Sequence, residues 1–185
     1  MWPVLLDIAA GLVGLALGVV VNALADQLPL RNERPLPIRA PYCRSCGRLF
    51  PAAHWPAFAH LLLARGRCTY CGAERGWRAP LVEAGSAIGA VGLWRWAGGE
   101  VGVFYAGVIV SFIFLLITVI DIEHRLVLWR VVWVSAIVLL LLGGLSPDRG
   151  WQKTLIGGLA GYGMVFVMFL FGQAYMWVVA RRRGR

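Results

Sequence analysis

Val101-Gly-Val-Phe-Tyr-Ala-Gly-Val-Ile-Val-Ser-Phe-Ile-Phe-Leu-Leu-Ile-Thr-Val-Ile120 contains no charged residue, and Asp121 follows it directly. A bilayer core about 30 Å thick is crossed by about 20 mostly apolar residues in helix. This stretch has that length and lacks period-two alternation. In hydrocarbon every backbone group must be satisfied internally, so the pattern selects a helix over a barrel strand. Four further stretches, roughly 3–25, 80–97, 126–145 and 154–180, read the same way. The expected fold class is an all-α integral membrane protein with about five transmembrane helices.

Composition agrees. Of 185 residues, 59% are hydrophobic and 15% charged, against about half and a quarter in a soluble domain. That balance excludes a disordered basic tail or a free nucleic-acid-binding module, both poor in aliphatics, and no nucleic acid is expected as a partner. The 18 Lys plus Arg against 9 Asp plus Glu then pose a question of placement. If the five stretches cross in alternation, every basic residue except Arg95, Arg149 and Lys153 falls on one side. The positive-inside rule makes that side cytoplasmic, with the N-terminus outside and the basic excess facing membrane lipids. Three parts follow: a first transmembrane helix (1–25), a cytoplasmic module holding all four cysteines (26–79), and helices two to five with a basic cytoplasmic tail (80–185). Ala23-Leu24-Ala25 has the small-residue pattern of a signal-peptidase site, and cleavage there would export the module. Against it, residues 1–7 hold no Lys or Arg. They hold Asp7, an interfacial charge without an assigned role.

Within the module, Cys43-Arg-Ser-Cys46-Gly47 and Cys68-Thr-Tyr-Cys71-Gly72 repeat one pattern. Paired Cys-x-x-Cys turns are the spacing of a four-thiolate zinc site, and the glycine lets backbone N–H groups point at sulfur without a Cβ clash. Two disulfides are a competing reading that requires export, and a redox dithiol is another that leaves the second pair unused. His54 and His60, between the pairs, are alternative ligands or surface residues. An interval this short and polar cannot bury its own core. Zinc held by Cys43, Cys46, Cys68 and Cys71 is therefore expected to fold it, and four thiolates leave no open position for catalysis.

Gly11, Gly14 and Gly18, and likewise Gly157, Gly161 and Gly163, are spaced for close helix packing. Asn22, an amide near the end of the first helix, needs a partner and is expected to make a helix–helix hydrogen bond. Asp121 sits at a boundary where an acid is tolerated; it reads as a cap, as an i,i+4 partner of Arg125, or as a functional group. Glu123 and His124 read as solvated turn residues.

Several motifs together resemble the bacterial type IV prepilin leader peptidases, a family of aspartic peptidases. Gly18-Val-Val-Val-Asn22-Ala-Leu-Ala-Asp-Gln-Leu28-Pro29 is similar to that family's first-helix exit motif. Arg39-Ala-Pro-Tyr-Cys43-Arg-Ser-Cys46-Gly47 and Leu63-Ala-Arg-Gly66-Arg67-Cys68-Thr-Tyr-Cys71-Gly72 resemble its zinc-knuckle loop. Arg78-Ala-Pro80-Leu-Val82-Glu83 is similar to the segment opening its second helix, and Val119-Ile-Asp121 to its first aspartate segment. The resemblance runs in order from about Gly14 onward.

It implies a multi-pass protein of the bacterial inner membrane that removes basic leaders from prepilins and pseudopilins at the cytoplasmic face. It also implies methylation of the new N-terminus from S-adenosylmethionine in many members, for which no residue here is assigned. The chemistry uses two carboxylates sharing a proton, one as general base on water and one as acid on the scissile carbonyl. Asp121 matches the first, and residues 80–185 then begin the peptidase domain. The second belongs to a Gly-x-Gly-Asp segment, and no Gly-Asp dipeptide occurs in these 185 residues. Leu128-Trp129 replaces the family's Ile-Pro, and Asp26-Gln27 its Tyr-Arg. Three expectations result: the N-terminal portion of a shortened peptidase, inactive by itself or working with a separate chain that supplies the second aspartate; a homodimer pairing two Asp121 carboxylates; or a non-catalytic membrane zinc protein that binds pilin-like helices or an assembly partner.

Overall fold

The computed structural model describes residues 2–33, 40–124, 128–146 and 150–183. They form six α-helices: α1 (Trp2–Glu33), α2 (Ala57–Ala64), α3 (Arg78–Trp96), α4 (Val101–His124), α5 (Trp129–Leu145) and α6 (Gly150–Arg183), with a 3-10 turn at Ala52–His54. No strand occurs among the described residues; two isolated bridges, Tyr42 to Leu49 and Arg67 to Glu74, belong to the cysteine module. The chain divides into two compact units, Met1–Val131 and Val132–Arg185. This is an all-α membrane protein with an inserted cysteine module.

Among the described residues, three helices are long and apolar enough to cross a bilayer, over Val4–Pro29, Val101–His124 and Gly150–Gln173, and the apolar stretch Val131–Leu145 is shorter. The expected second span, α3, carries Arg78, Glu83 and Arg95 within its 19 residues. Its place beside α1 comes from close packing rather than from its own apolarity. A Cβ on Gly14 would lie 2.3 Å from the Ser86 carbonyl oxygen and 2.6 Å from the Ala90 side chain, and one on Gly18 would lie 2.7 Å from the Glu83 Cα. The two backbones touch, as small residues permit in a membrane. The helices run antiparallel, and at the end away from the module Arg95 Nη2 reaches Asp7 at 2.8 Å. Asp7 thus has a role the sequence did not assign.

α1 does not stop at residue 25 but continues to Glu33 with Pro29 inside it. Proline has no N–H to give and removes one helical hydrogen bond. The helix is held there by its buried face: Ala25 is fully buried with Val21, and Leu28 packs on the same cluster. Ala23-Leu24-Ala25 therefore lies in mid-helix, the reverse of the exposed segment that proteolysis prefers.

α4 closes the first unit through two clusters. Near the module, Leu116, Val119 and Ile120 pack with Val21, Ala25 and Leu128. At the other end Phe104 and Val108 pack with Ala10 and Ala97, and the Trp94 and Phe104 rings meet edge-on at 5.3 Å. In the second unit, Gly143 and Gly144 admit Thr154 and Trp151 of α6. An added Cβ at Gly157, Gly161 or Gly163 meets nothing within 4 Å, so the expected packing face on α6 is open among the described residues.

Candidate metal centre

Each Cys-x-x-Cys pair folds as a knuckle. In the first, the Gly47 N–H donates to the Cys43 carbonyl at 2.8 Å and the Cys43 N–H to the Arg48 carbonyl at 2.9 Å. In the second, Gly72 donates to Cys68 at 2.9 Å and Cys68 to Ala73 at 2.8 Å. Gly47 has φ 71° and Gly72 φ 72°, a conformation in which a side chain would be strained. The knuckles face each other, with the Arg48 guanidinium 4.8 Å above the Tyr70 ring.

The four sulfurs lie within 4.8 Å of one another. All four thiols are free, so the competing reading of two disulfides is not seen. Across the knuckles Cys43 Sγ is 3.7 Å from Cys71 Sγ, and Cys46 Sγ is 3.9 Å from Cys68 Sγ. Tetrahedral zinc with Zn–S distances of about 2.3 Å requires sulfurs about 3.8 Å apart. The donor set therefore fits a zinc ion, which would be held by these four side chains with no open position left. The Tyr70 and Cys71 N–H groups, with smaller help from neighbouring thiols, bring the Cys68 thiol down to about 7. At Cys71 the Ala73 N–H favours the thiolate, but desolvation and the three other sulfurs outweigh it and push the thiol up to about 12. Without a cation the cluster resists full ionisation, and a cation is what would make four thiolates compatible.

His54 and His60 are not ligands in this arrangement. They lie under the knuckles with Nδ1 atoms 3.1 Å apart, and His60 is only 1% exposed against the Phe50 ring. Arg75 closes this layer: it lies 5.3 Å from the centre of the Phe50 ring and donates to the His54 and Trp55 carbonyls at 3.1 and 3.3 Å.

Two polar connections fix the module to the helices. Glu83 is fully buried and accepts from the Ala57 and Phe58 N–H groups at 2.8 and 3.2 Å, satisfying amides that the start of α2 leaves open. Asn22 Nδ2 donates to the Ala79 carbonyl at 2.9 Å and reaches Glu83 Oε1 at 3.4 Å. The expected helix–helix hydrogen bond of Asn22 is thus present.

The second connection is a cluster of four charges. Arg44, inside the first knuckle, pairs with Asp26 of α1 and, at 3.2 Å, with Glu123 of α4. Arg78, at the start of α3, pairs with the same two carboxylates. Three of these side chains are about one-quarter exposed and Arg44 about half, so water screens the pairs only in part. Glu123 and His124 are not turn residues as expected: both belong to α4, and Glu123, although exposed, ties that helix to the knuckle. The sequence hint was available, since Asp26 and Glu123 each follow an apolar run and the intervening module is rich in arginine.

Asp121 is exposed on the last turn of α4 and makes no hydrogen bond or ion pair among the described residues. The expected partner Arg125 lies outside them, as do Arg39, Asp148 and Arg149. No described acid stands in a Gly-x-Gly-Asp segment.

Residues 12–96 match a family model described as the bacterial peptidase A24 N-terminal domain. The matched span covers the inner part of α1, the whole cysteine module and α3, and stops before Asp121. No curated protein and no solved structure matches the chain.

Proposed function

We propose that this type IV prepilin peptidase-like protein works in removing basic leader peptides from prepilins or pseudopilins at the cytoplasmic face of the inner membrane, with Asp121 as one carboxylate of the cutting pair. The observation that carries the reading is the match over residues 12–96, which joins the first helix, the module and α3 in one order. Its support at the site is the placement of Asp121: a carboxylate open to solvent, on the last turn of an apolar helix, two positions from the residue that ties α4 to the knuckle.

A carboxylate pair acts because two like charges held close cannot both ionise, leaving one as base and one as acid. These 185 residues contain no Gly-Asp dipeptide, so this reading takes the second carboxylate from outside them: from a longer form of the chain, from a second chain or from Asp121 of a second copy. The zinc site supplies no chemistry in this scheme. Its four ligands would hold the module rigid while Arg44 positions the end of α4. Methyl transfer from S-adenosylmethionine rests on the resemblance alone.

The test is leader cleavage by the purified protein in lipid, followed by mass spectrometry. Cleavage by the chain alone that disappears with Asp121→Asn supports the paired-copy form. Cleavage only after addition of a chain carrying Gly-x-Gly-Asp, again lost with Asp121→Asn, supports the two-chain form. Binding of the leader-bearing helix with no cleavage in either arm would replace the peptidase reading by the non-catalytic one.

A further inference from the structure

Helix α2 presents an apolar face that no part of the described protein covers. Its sequence, Ala57-Phe-Ala-His-Leu-Leu-Leu-Ala64, has no formal charge, and its one polar side chain, His60, points inward and is buried. Phe58, Leu62 and Leu63 are 46%, 76% and 64% exposed. A helix with this face would be a liability in water.

Its depth shows where the face lies. The first amides of α2 bond to Glu83, and Glu83 shares its level with Asn22 of α1. From Asn22 to Asp26, the first charged residue after the apolar run of α1, the helix rises about 6 Å. A second gauge agrees: from Trp77, which is 73% exposed and of the type that marks a membrane interface, to Glu83 is about 9 Å. Leu81, on the same outer side of α3, is 68% exposed. The start of α2 therefore lies below the end of a membrane span, at the depth of about 5–10 Å that interfacial helices occupy.

We infer that α2 is an interfacial helix, seated by Phe58, Leu62 and Leu63 in the boundary between phospholipid headgroups and acyl chains. Trp77 and Leu81 are exposed at the start of α3, the helix against which α2 packs, and the exposed Arg65 at its C-terminal end faces the lipid phosphates. The cysteine module is then held against the bilayer by two attachments, one to protein through Glu83 and one to lipid through α2. The occupant of the face is phospholipid, because α2 packs on α3 at a depth between its exposed Trp77 and Leu81 and its buried Glu83, below the interface that Trp77 marks. The inference goes beyond the peptidase reading and does not depend on it.

A photoreactive amino acid at position 62 of the full chain, reconstituted in phosphatidylethanolamine and phosphatidylglycerol vesicles, tests it. The same probe at Leu81 serves as lipid-facing reference and at Glu74 as water-facing reference. Metal content of each variant, matched to the unsubstituted protein, reports that the module has folded, and position 58 takes over if the variant at 62 loses metal. The expected result is a mass increase of one phospholipid at position 62, within about twofold of the yield at 81 and at least tenfold above that at 74. Adduct at 81 with none at 62, equal yields at 62 and 74, or cross-linking of position 62 to this chain or a second copy would each overturn the assignment.

Discussion

Glu83 joins three parts of the molecule with one carboxylate. It accepts the first two amides of α2 and the Asn22 side chain in a fully buried position. A buried donor left without an acceptor costs about 1–3 kcal/mol. Glu83→Ala is therefore expected to release the module, seen as rapid proteolysis between residues 40 and 76, whereas Glu83→Gln, which retains one oxygen, loses less. His60 gives a pH dependence. Burial, then the charges of Arg75 and His54, lower its pKa below the ordinary histidine value, so the unfolded module binds the proton more readily than the folded one. Stability is then full above pH of about 6.5 and falls as the pH drops below it. Protease resistance of the metal-loaded module should follow that slope, and His60→Phe should flatten it. Asn22 was readable in the sequence because an amide in an apolar run needs a partner. Its partners Ala79 and Glu83 were not, since they come from a distant segment brought near only by the antiparallel return of α3.

The element scale belongs to the α1–α3 contact. Gly14→Leu would force atoms into the Ser86 backbone and Ala90 and is expected to cost about 1–3 kcal/mol or to separate the helices. Gly89→Leu, where a Cβ meets nothing within 4 Å, should be tolerated. Thermal aggregation of the two variants in the same detergent compares them directly. The same contact explains what could be read of the helices. α4 was legible from its own residues because a charge-free run of that length has one reading. α3 is too polar to qualify by apolarity and owes its place to a neighbour, which single-segment hydropathy does not measure. α2 was absent from the expectation altogether: eight residues are too few to stand out in a basic interval, and the helix is completed by Glu83, which lies outside that interval.

At the scale of the molecule, the four-thiol centre was the most legible part, since two identical knuckles with their glycines encode the sulfur positions locally. One zinc per chain is expected by metal analysis of freshly reduced protein. Cys43→Ser should abolish it and unfold the module while membrane insertion persists, because the insertion signals reside in α1, α4 and α6. Asp121→Asn should leave both zinc content and insertion unchanged and remove cleavage alone. For the charge cluster the sequence offered a hint but not the pairing, because it gathers side chains from four separate elements, and the wide sequence separation also sets an order of events during synthesis. Arg44 and Glu123 are 79 residues apart, so the first knuckle leaves the ribosome well before its second carboxylate exists. Before α4 is made, contacts with α1 and α3 alone hold the module. Until then Asp26 alone answers Arg44, and the second carboxylate of the cluster arrives only with α4.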